Sequence, residues 1–521
     1  MRNFHFLPFC LSFALMGSAA FADAGTTTHG IDLAGIDHSV KPGDDFFSYA
    51  NGTWIRNTQI PADRSSFGAG AILTEKVNAE NRQIMEAAAT GKAAAGTDER
   101  KIGDFYASYM DEAGIDAKGI APLSSAKARI TAIADKRALA AEFGSELRAD
   151  VDPINNTNFY TDRLFGLWVN QGLEDTSHYY PYLLQGGLGM PDREYYLAPD
   201  ARMAGIRAKY LAHIATVLKL AGVSDADAKA ASIADLEKKI AAAHVSRTDS
   251  EDVLKANNPW KREEFAKRAP GLDWNAFFAA AHLNDQATFV VWQPAGITGI
   301  SKLVASEPLS VWKDYLTFHL YDRYASVLPK AFVDENFAFY GTVLSGTPKM
   351  RDRWKRAVDA TNNALGMAVG RLYAQKYFPA SSKAKIQAMV GELKAAFARR
   401  IDALSWMAPE TKAKAKAKLT TLIVGVGYPD KWRDYSALRI VRGDALGNLE
   451  RAEEFEYRRN LAKFGQPVDR GEWVMNPQLV NAVNLPLYNA LNFPAAILQP
   501  PFFDAKADPA ANYGAIGAII G

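Results

Sequence analysis

A site that activates water on zinc needs three protein ligands, an open coordination position and a carboxylate to take the proton. On a helix, two histidines four residues apart with a glutamate between them put both imidazoles on one face. Beyond the first 22 residues this chain of 521 residues offers His29, His38, His178, His213, His244, His282 and His319, and no two of them stand four apart. The spacing proposes no metal site, and only one assembled from scattered His and Asp stays open. His244 follows Ile233, Leu236 and Ile240 at helical intervals, after a cap at Ser224, and reads as a satisfied core histidine. Other chemistries are no better served. There is no Gly-x-Ser-x-Gly elbow, and the only cysteine, Cys10, lies in the leader. Gly186-Gly187-Leu188-Gly189 lacks the Lys-Ser/Thr of a phosphate loop and reads as a turn. Asp249-Ser250-Glu251-Asp252 has no calcium-loop pattern and reads as a solvated face or a helix start.

The elements around these residues are mostly helical. Between about residues 70 and 410 apolar residues recur at three- and four-residue intervals, as in Ile386, Met389, Val390, Leu393, Phe397, Ile401 and Leu404. Pro379 and Ser381-Ser382 mark the start of that helix and Pro409 follows its end. Lys101 to Asp111, Leu316 to Leu328 and Arg353 to Tyr377 are also helix-like, and the Ala/Lys-rich stretch 412–418 is a solvated helix face. From about residue 419 the texture changes. Leu422-Ile423-Val424 and Leu438-Arg439-Ile440-Val441 are β-rich, and Leu479 to Val483 and Leu491 to Phe493 are further strand candidates. The fold class is mainly α with a smaller α+β part.

Sixty Lys plus Arg against 58 Asp plus Glu leave a net charge of +2, which gives no signal for nucleic acid as a partner. Arg2, the apolar run Phe6 to Met16 and the small-x-small triplet Ala20-Phe21-Ala22 have the layout of a secretory signal at 1–22. An uncleaved anchor is the other reading, but the run is short for a membrane span and no later segment approaches one. With the signal removed, the protein has no transmembrane segment and no cysteine, so an exported form, periplasmic or secreted, would be held by its core alone.

Two ends of the chain carry long motifs. Near the N-terminus stand Lys41-Pro42-Gly43-Asp44-Asp45-Phe46-Phe47-Ser48-Tyr49-Ala50-Asn51-Gly52-Thr53-Trp54 and Arg64-Ser65-Ser66-Phe67. Near the C-terminus stand Trp473-Val474-Met475-Asn476-Pro477-Gln478-Leu479-Val480-Asn481-Ala482, Asn492-Phe493-Pro494-Ala495-Ala496-Ile497-Leu498-Gln499-Pro500-Pro501-Phe502-Phe503-Asp504 and Asn512 to Gly521. Between them, Gly189-Met190-Pro191-Asp192-Arg193-Glu194-Tyr195-Tyr196-Leu197 and Gly427-Tyr428-Pro429-Asp430 recur in order. Together these motifs resemble the neprilysin and endothelin-converting-enzyme family of zinc metalloendopeptidases, in its bacterial, exported form.

The resemblance implies a leader at 23–40, a large helical lid over 41–418 and the start of a thermolysin-like catalytic domain over 419–521. It implies zinc for the complete enzyme, held by a His-Glu-x-x-His pair that in the family follows the residues matching Ile519-Ile520-Gly521. The ligands are therefore absent from this chain, which is expected to be truncated and inactive alone. The resemblance also implies peptide substrates. Asn481 and Ala482 match an edge strand that takes the substrate backbone by β-augmentation. Ile497, Phe502 and Ile519 match the lining of the pocket for a large hydrophobic side chain after the cleaved bond, and Phe67 matches an aromatic from the N-terminal region. By apolar identity alone, Ile497, Phe502 and Ile519 would read as plain core. The sequence departs from the family pattern at Val483-Asn484-Leu485-Pro486, which lacks two aromatics, at Asn489-Ala490, and at Asn492, which replaces an apolar residue. The alternative reading is a non-catalytic periplasmic peptide-binding or regulatory protein. No motif specifies an oligomeric state.

Overall fold

A computed structural model describes residues 30–521. The expected signal segment 1–22, with Cys10, and the leader up to His29 lie outside the described residues. The described residues are mainly α, with one four-stranded and one three-stranded sheet among them.

Helix ends follow local chemistry. Asp45 caps the helix Phe46–Asn57 by accepting from the Ser48 N–H, and Thr97 does the same for Asp98–Met110 through Arg100. Pro409, expected to end one helix, occupies the first turn of the next, Pro409–Thr420, where its missing N–H costs nothing. The helix expected after Ser224 starts instead at Ala226, with Asp225 at its N-cap in the left-handed region. His244 is the cap residue after its last turn rather than part of the stripe. Its Nε2 is 2.9 Å from the Gly186 carbonyl. Desolvation holds this imidazole down at about 4, so it is neutral at ordinary pH.

Three long helices tie the molecule together. Gly103 of the helix Asp98–Met110 lies so near the helix Ala69–Thr90 that an added Cβ would sit 2.3 Å from the Ala88 carbonyl oxygen. Only glycine allows that approach. Helix Arg353–Tyr377 packs against both. Ala69–Thr90 and Arg353–Tyr377 each contribute to two separate apolar clusters. The larger cluster takes Met85, Ala88, Ala357, Leu365 and Val369, together with the buried Trp312, Tyr315 and Phe277. The smaller takes Leu73, Val77, Ile84 and Tyr373, with Ile386, Phe493 and Ile516.

The four-stranded sheet was not anticipated. Strands β1 (Phe165–Gln171), β2 (Tyr179–Gln185), β3 (Pro259–Lys261) and β4 (Thr288–Val291) run in the order β1-β2-β4-β3, with β2 and β4 parallel. Every residue of β1 is buried, so it shows none of the two-residue alternation that reveals a half-exposed strand. The expected strand at Leu438–Val441 is absent. Its backbone turns at Tyr435–Leu438 and is held through the buried Asn448, whose side chain pairs with both N–H and C=O of Val441. Asp192-Arg193-Glu194 forms a loop network: Glu194 N–H donates to Asp192 at 2.8 Å, and Arg193 reaches Glu194 and the Ala241 carbonyl.

Candidate functional site

The three-stranded sheet consists of β5 (Ile423–Gly427), β6 (Val483–Leu485) and β7 (Ala490–Pro494), in the order β5-β7-β6. The hairpin from β6 to β7 turns through Pro486–Tyr488, and Asn489 closes it with φ at 48°. Asparagine tolerates that backbone, and its side chain here donates to Lys418 O and Thr421 Oγ1. The turn is pinned to β1, because the Tyr488 hydroxyl lies 2.6 Å from Asn170 Oδ1 and Gln171 donates to the Leu487 carbonyl. Strand β6 is at the edge of the sheet. Asn484 is exposed there, between the buried Val483 and Leu485.

Asn481 and Ala482, expected on an edge strand, lie instead in the turn segment just before β6; of the expected strand 479–483 only Val483 pairs with β7, because the chain winds through turns at Leu479 and Asn481. Asn481 is exposed, and its Oδ1 accepts from the Ala482 N–H at 2.8 Å. Ala482, Val480 and Phe502 pack against the smaller apolar cluster, and Ile497 is a buried member of it. The structure therefore brings Ala482, Ile497 and Phe502 to one apolar body. Ile519 does not join them: it is 42% exposed on the short helix Ile516–Ile520. Phe67 is half-buried and is not among the residues packed on that cluster. An apolar groove of about 330 Å³ opens on the same sheet between Val390, Leu393, Phe397, Leu422, Leu491 and Ile520.

A polar triad missed in the sequence holds the loop that carries Phe502. Tyr373 donates to Glu80 at 2.9 Å and accepts from Gln499 at 2.9 Å. Burial pushes the Glu80 carboxyl up, and the Tyr373 hydrogen bond and nearby Lys76 only partly oppose it. A signal was available: Glu80 falls between Val77 and Ile84 on the stripe Leu73, Val77, Ile84, where an apolar residue belongs.

Asn492 stands in the central strand β7, 3% exposed, opposite Gly425 and Val483, and its Nδ2 has no partner. A buried donor without an acceptor costs about 1–3 kcal/mol. Asn492→Val is therefore expected to raise stability by roughly that amount, since a β-branched residue also suits the strand. Guanidinium unfolding of the two forms checks this; an unchanged or lower midpoint would show that the amide is satisfied.

Among the described residues no three His, Asp or Glu side chains gather as they would to hold a metal ion. The residues present do not fit a zinc centre.

The motifs and this fold have counterparts in known proteins. Two family models, both described as peptidase family M13, match residues 42–429 and 481–521. The chain belongs to peptidase family M13. Among M13 relatives, mouse endothelin-converting enzyme-like 1 is 30% identical over 506 residues, covering 94% of this chain and 64% of the relative. The chain thus spans under two thirds of that relative's length. A crystal structure of Mycobacterium tuberculosis zinc metalloprotease Zmp1 in complex with an inhibitor is 39% identical, with a TM-score of 0.88 over 95% of this chain and 74% of that one. PepO from Lactobacillus rhamnosus shares the fold, with a TM-score of 0.81 at 24% identity over 92% of this chain and 75% of that one. The M13 match also accounts for the ordered motifs at both ends of the sequence. No helix among the described residues is long and apolar enough to cross a membrane.

Proposed function

We propose that the protein is an exported, neprilysin-like M13 zinc endopeptidase acting on oligopeptides, with residues 41–418 as a helical lid and the catalytic part beginning near 419. The observation that carries this is the edge position of β6, with Asn481–Ala482 just before it and Ala482, Phe502 and the buried Ile497 on one apolar cluster. A peptide added along β6 would be held through backbone groups that every sequence possesses. A large hydrophobic side chain after the cleaved bond would be received by Ile497 and Phe502, with Ile519 and Phe67 at the margin. Zinc belongs to the proposal for the whole protein. These 521 residues carry no His-Glu-x-x-His pair, and they are proposed to be inactive by themselves.

The test is hydrolysis of a quenched fluorescent peptide library by the protein purified from its source. Cleavage before Phe, Leu or Ile, abolished by a zinc chelator, is the expected result. Cleavage before charged residues, or activity indifferent to chelation, would sink the reading. Saturable peptide binding without any hydrolysis would favour the non-catalytic alternative. Asn481→Ala is expected to raise KM roughly tenfold, the cost of about one hydrogen-bonding group. An unchanged KM would remove Asn481 from the site.

A further inference from the structure

We propose that Gln478 is a positioning residue, which fixes the segment leading to Asn481–Ala482 and the turn carrying Ile497 to a break in the helix Arg353–Tyr377. The proposal rests on the reading that Asn481–Ala482 receive the substrate backbone.

Leu365, in the middle of that helix, has φ −131° and ψ 28°, outside the helical region. It lies within the part of the helix that packs in the larger apolar cluster, eight residues before Tyr373 in the smaller one. A residue out of helical geometry disturbs the backbone ladder on both sides and leaves N–H and C=O groups in need of partners. Side chains from two distant motifs supply them. The Met367 N–H donates to the Tyr435 hydroxyl at 3.1 Å. Asn476 Nδ2 donates to the Asn362 carbonyl at 3.2 Å. Gln478 Nε2 donates both to the Gly366 carbonyl at 3.0 Å and to Asn362 Oδ1 at 2.9 Å.

The segment lies flush on the helix. A Cβ at Gly366 would meet Asn476 at 2.1 Å, and one at Gly370 would meet Pro477 at 2.5 Å. From this clasp two short links lead to the site. The Ala496 N–H donates to the Pro477 carbonyl at 2.9 Å, which ties down the turn carrying Ile497. Asn476 O accepts from Leu479 N, and Leu479 O accepts from Asn481 N, both at 3.0 Å, so the chain is wound tightly from the clasp to Asn481. Gln478 is 4% exposed, and its Oε1 is buried without a partner. An amide kept in the interior with one end unsatisfied contributes little net stability, which points to placement as its task.

The experiment compares Gln478→Leu, Asn481→Ala and the double variant in the protein purified from its source, reading KM, kcat and thermal midpoint. Gln478→Leu is expected to raise KM about tenfold with kcat within about twofold and the midpoint nearly unchanged. The double variant is expected to be no worse than about the single ones, because both act on one strand. Asn362→Ala, which removes one of the two Gln478 acceptors, is expected to shift KM the same way by about threefold, and it serves if Gln478→Leu fails to fold. A normal KM in Gln478→Leu and Asn362→Ala, with KM raised in Asn481→Ala, would overturn the positioning role alone. Fully additive effects, or a KM change that tracks a fallen midpoint, would overturn it too. A normal KM in Asn481→Ala would overturn the substrate-strand reading together with this one.

Discussion

Replacing Glu237 by alanine is expected to destabilise the protein by about 3–5 kcal/mol, as removal of a buried, fully engaged ionic partner does. Glu237 lies on the helix Ala226–Ala243 with no exposed surface. Its carboxylate accepts from the Tyr210 hydroxyl at 2.9 Å, from His319 Nε2 at 2.9 Å and from the Gly189 N–H at 3.3 Å, and also from the Tyr196 hydroxyl. These donors come from three other elements: the helix Ala201–Leu220, the helix Leu309–Arg323, and the Gly189–Leu197 loop. Burial first, and then the adjacent Glu237, push the Tyr196 and Tyr210 hydroxyls well above the usual range, so both remain donors. Beyond His319, Asp162 pairs with Arg323 at 2.7 Å. Burial would push Asp162 up, but Arg323 and Arg163 outweigh it and hold the carboxyl at about 2. Alanine at 237 leaves four donors in a dry interior with nothing to accept them. Glu237→Gln keeps the shape but turns one end into a donor, so it should lose less than alanine. Guanidinium unfolding measures both; a loss below about 1 kcal/mol for alanine would show that the network does not bind these elements together.

A second large effect is set by pH. His213 is 1% exposed, 3.1 Å from Asp322 and 3.0 Å from Glu335. Its ring stacks on Phe339 at 5.0 Å, within the π-helical stretch Phe337–Leu344. Burial alone would lower its affinity for a proton, but hydrogen bonds to Asp322 and Glu335 more than reverse that and raise it from 6.5 to about 9. A group raised on folding contributes its full stability below its unfolded value, and loses it as the pH rises through the folded one. The contribution is therefore complete below pH 6.5 and disappears through about pH 9, and the shift corresponds to about 3 kcal/mol. Unfolding free energy of the wild type should fall between pH 6.5 and 9, and that fall should be missing in His213→Gln. Equal slopes in the two proteins would show that His213 is not the titrating group.

The sequence by itself determined the elements whose signals lie within a few residues of one another. The helix at 353–377, the helix bearing Ile386, Met389 and Val390, and a strand at 422–424 depend on periodicity and turn chemistry within a short window. The ordered motifs, from Pro42 to Gly52 and from Trp473 to Phe503, were enough to point to the M13 family. The tertiary structure alone decided what depends on distant partners. Strands β1, β2 and β4 are buried by pairings that reach from Leu183 to Val291, and burial on both faces erased the alternation that would have revealed them. The departure at Asn492 was legible, but its position in a central strand without an acceptor was not. Ile497 and Ile519 look alike as apolar letters, yet one lies in the core and the other is exposed. Closure of the chain on itself, through Gln478 on Gly366 and Gln499 on Tyr373, places residues more than a hundred positions apart within hydrogen-bond reach. No pattern confined to a short window can encode that, because the partner that satisfies each polar group is chosen by packing.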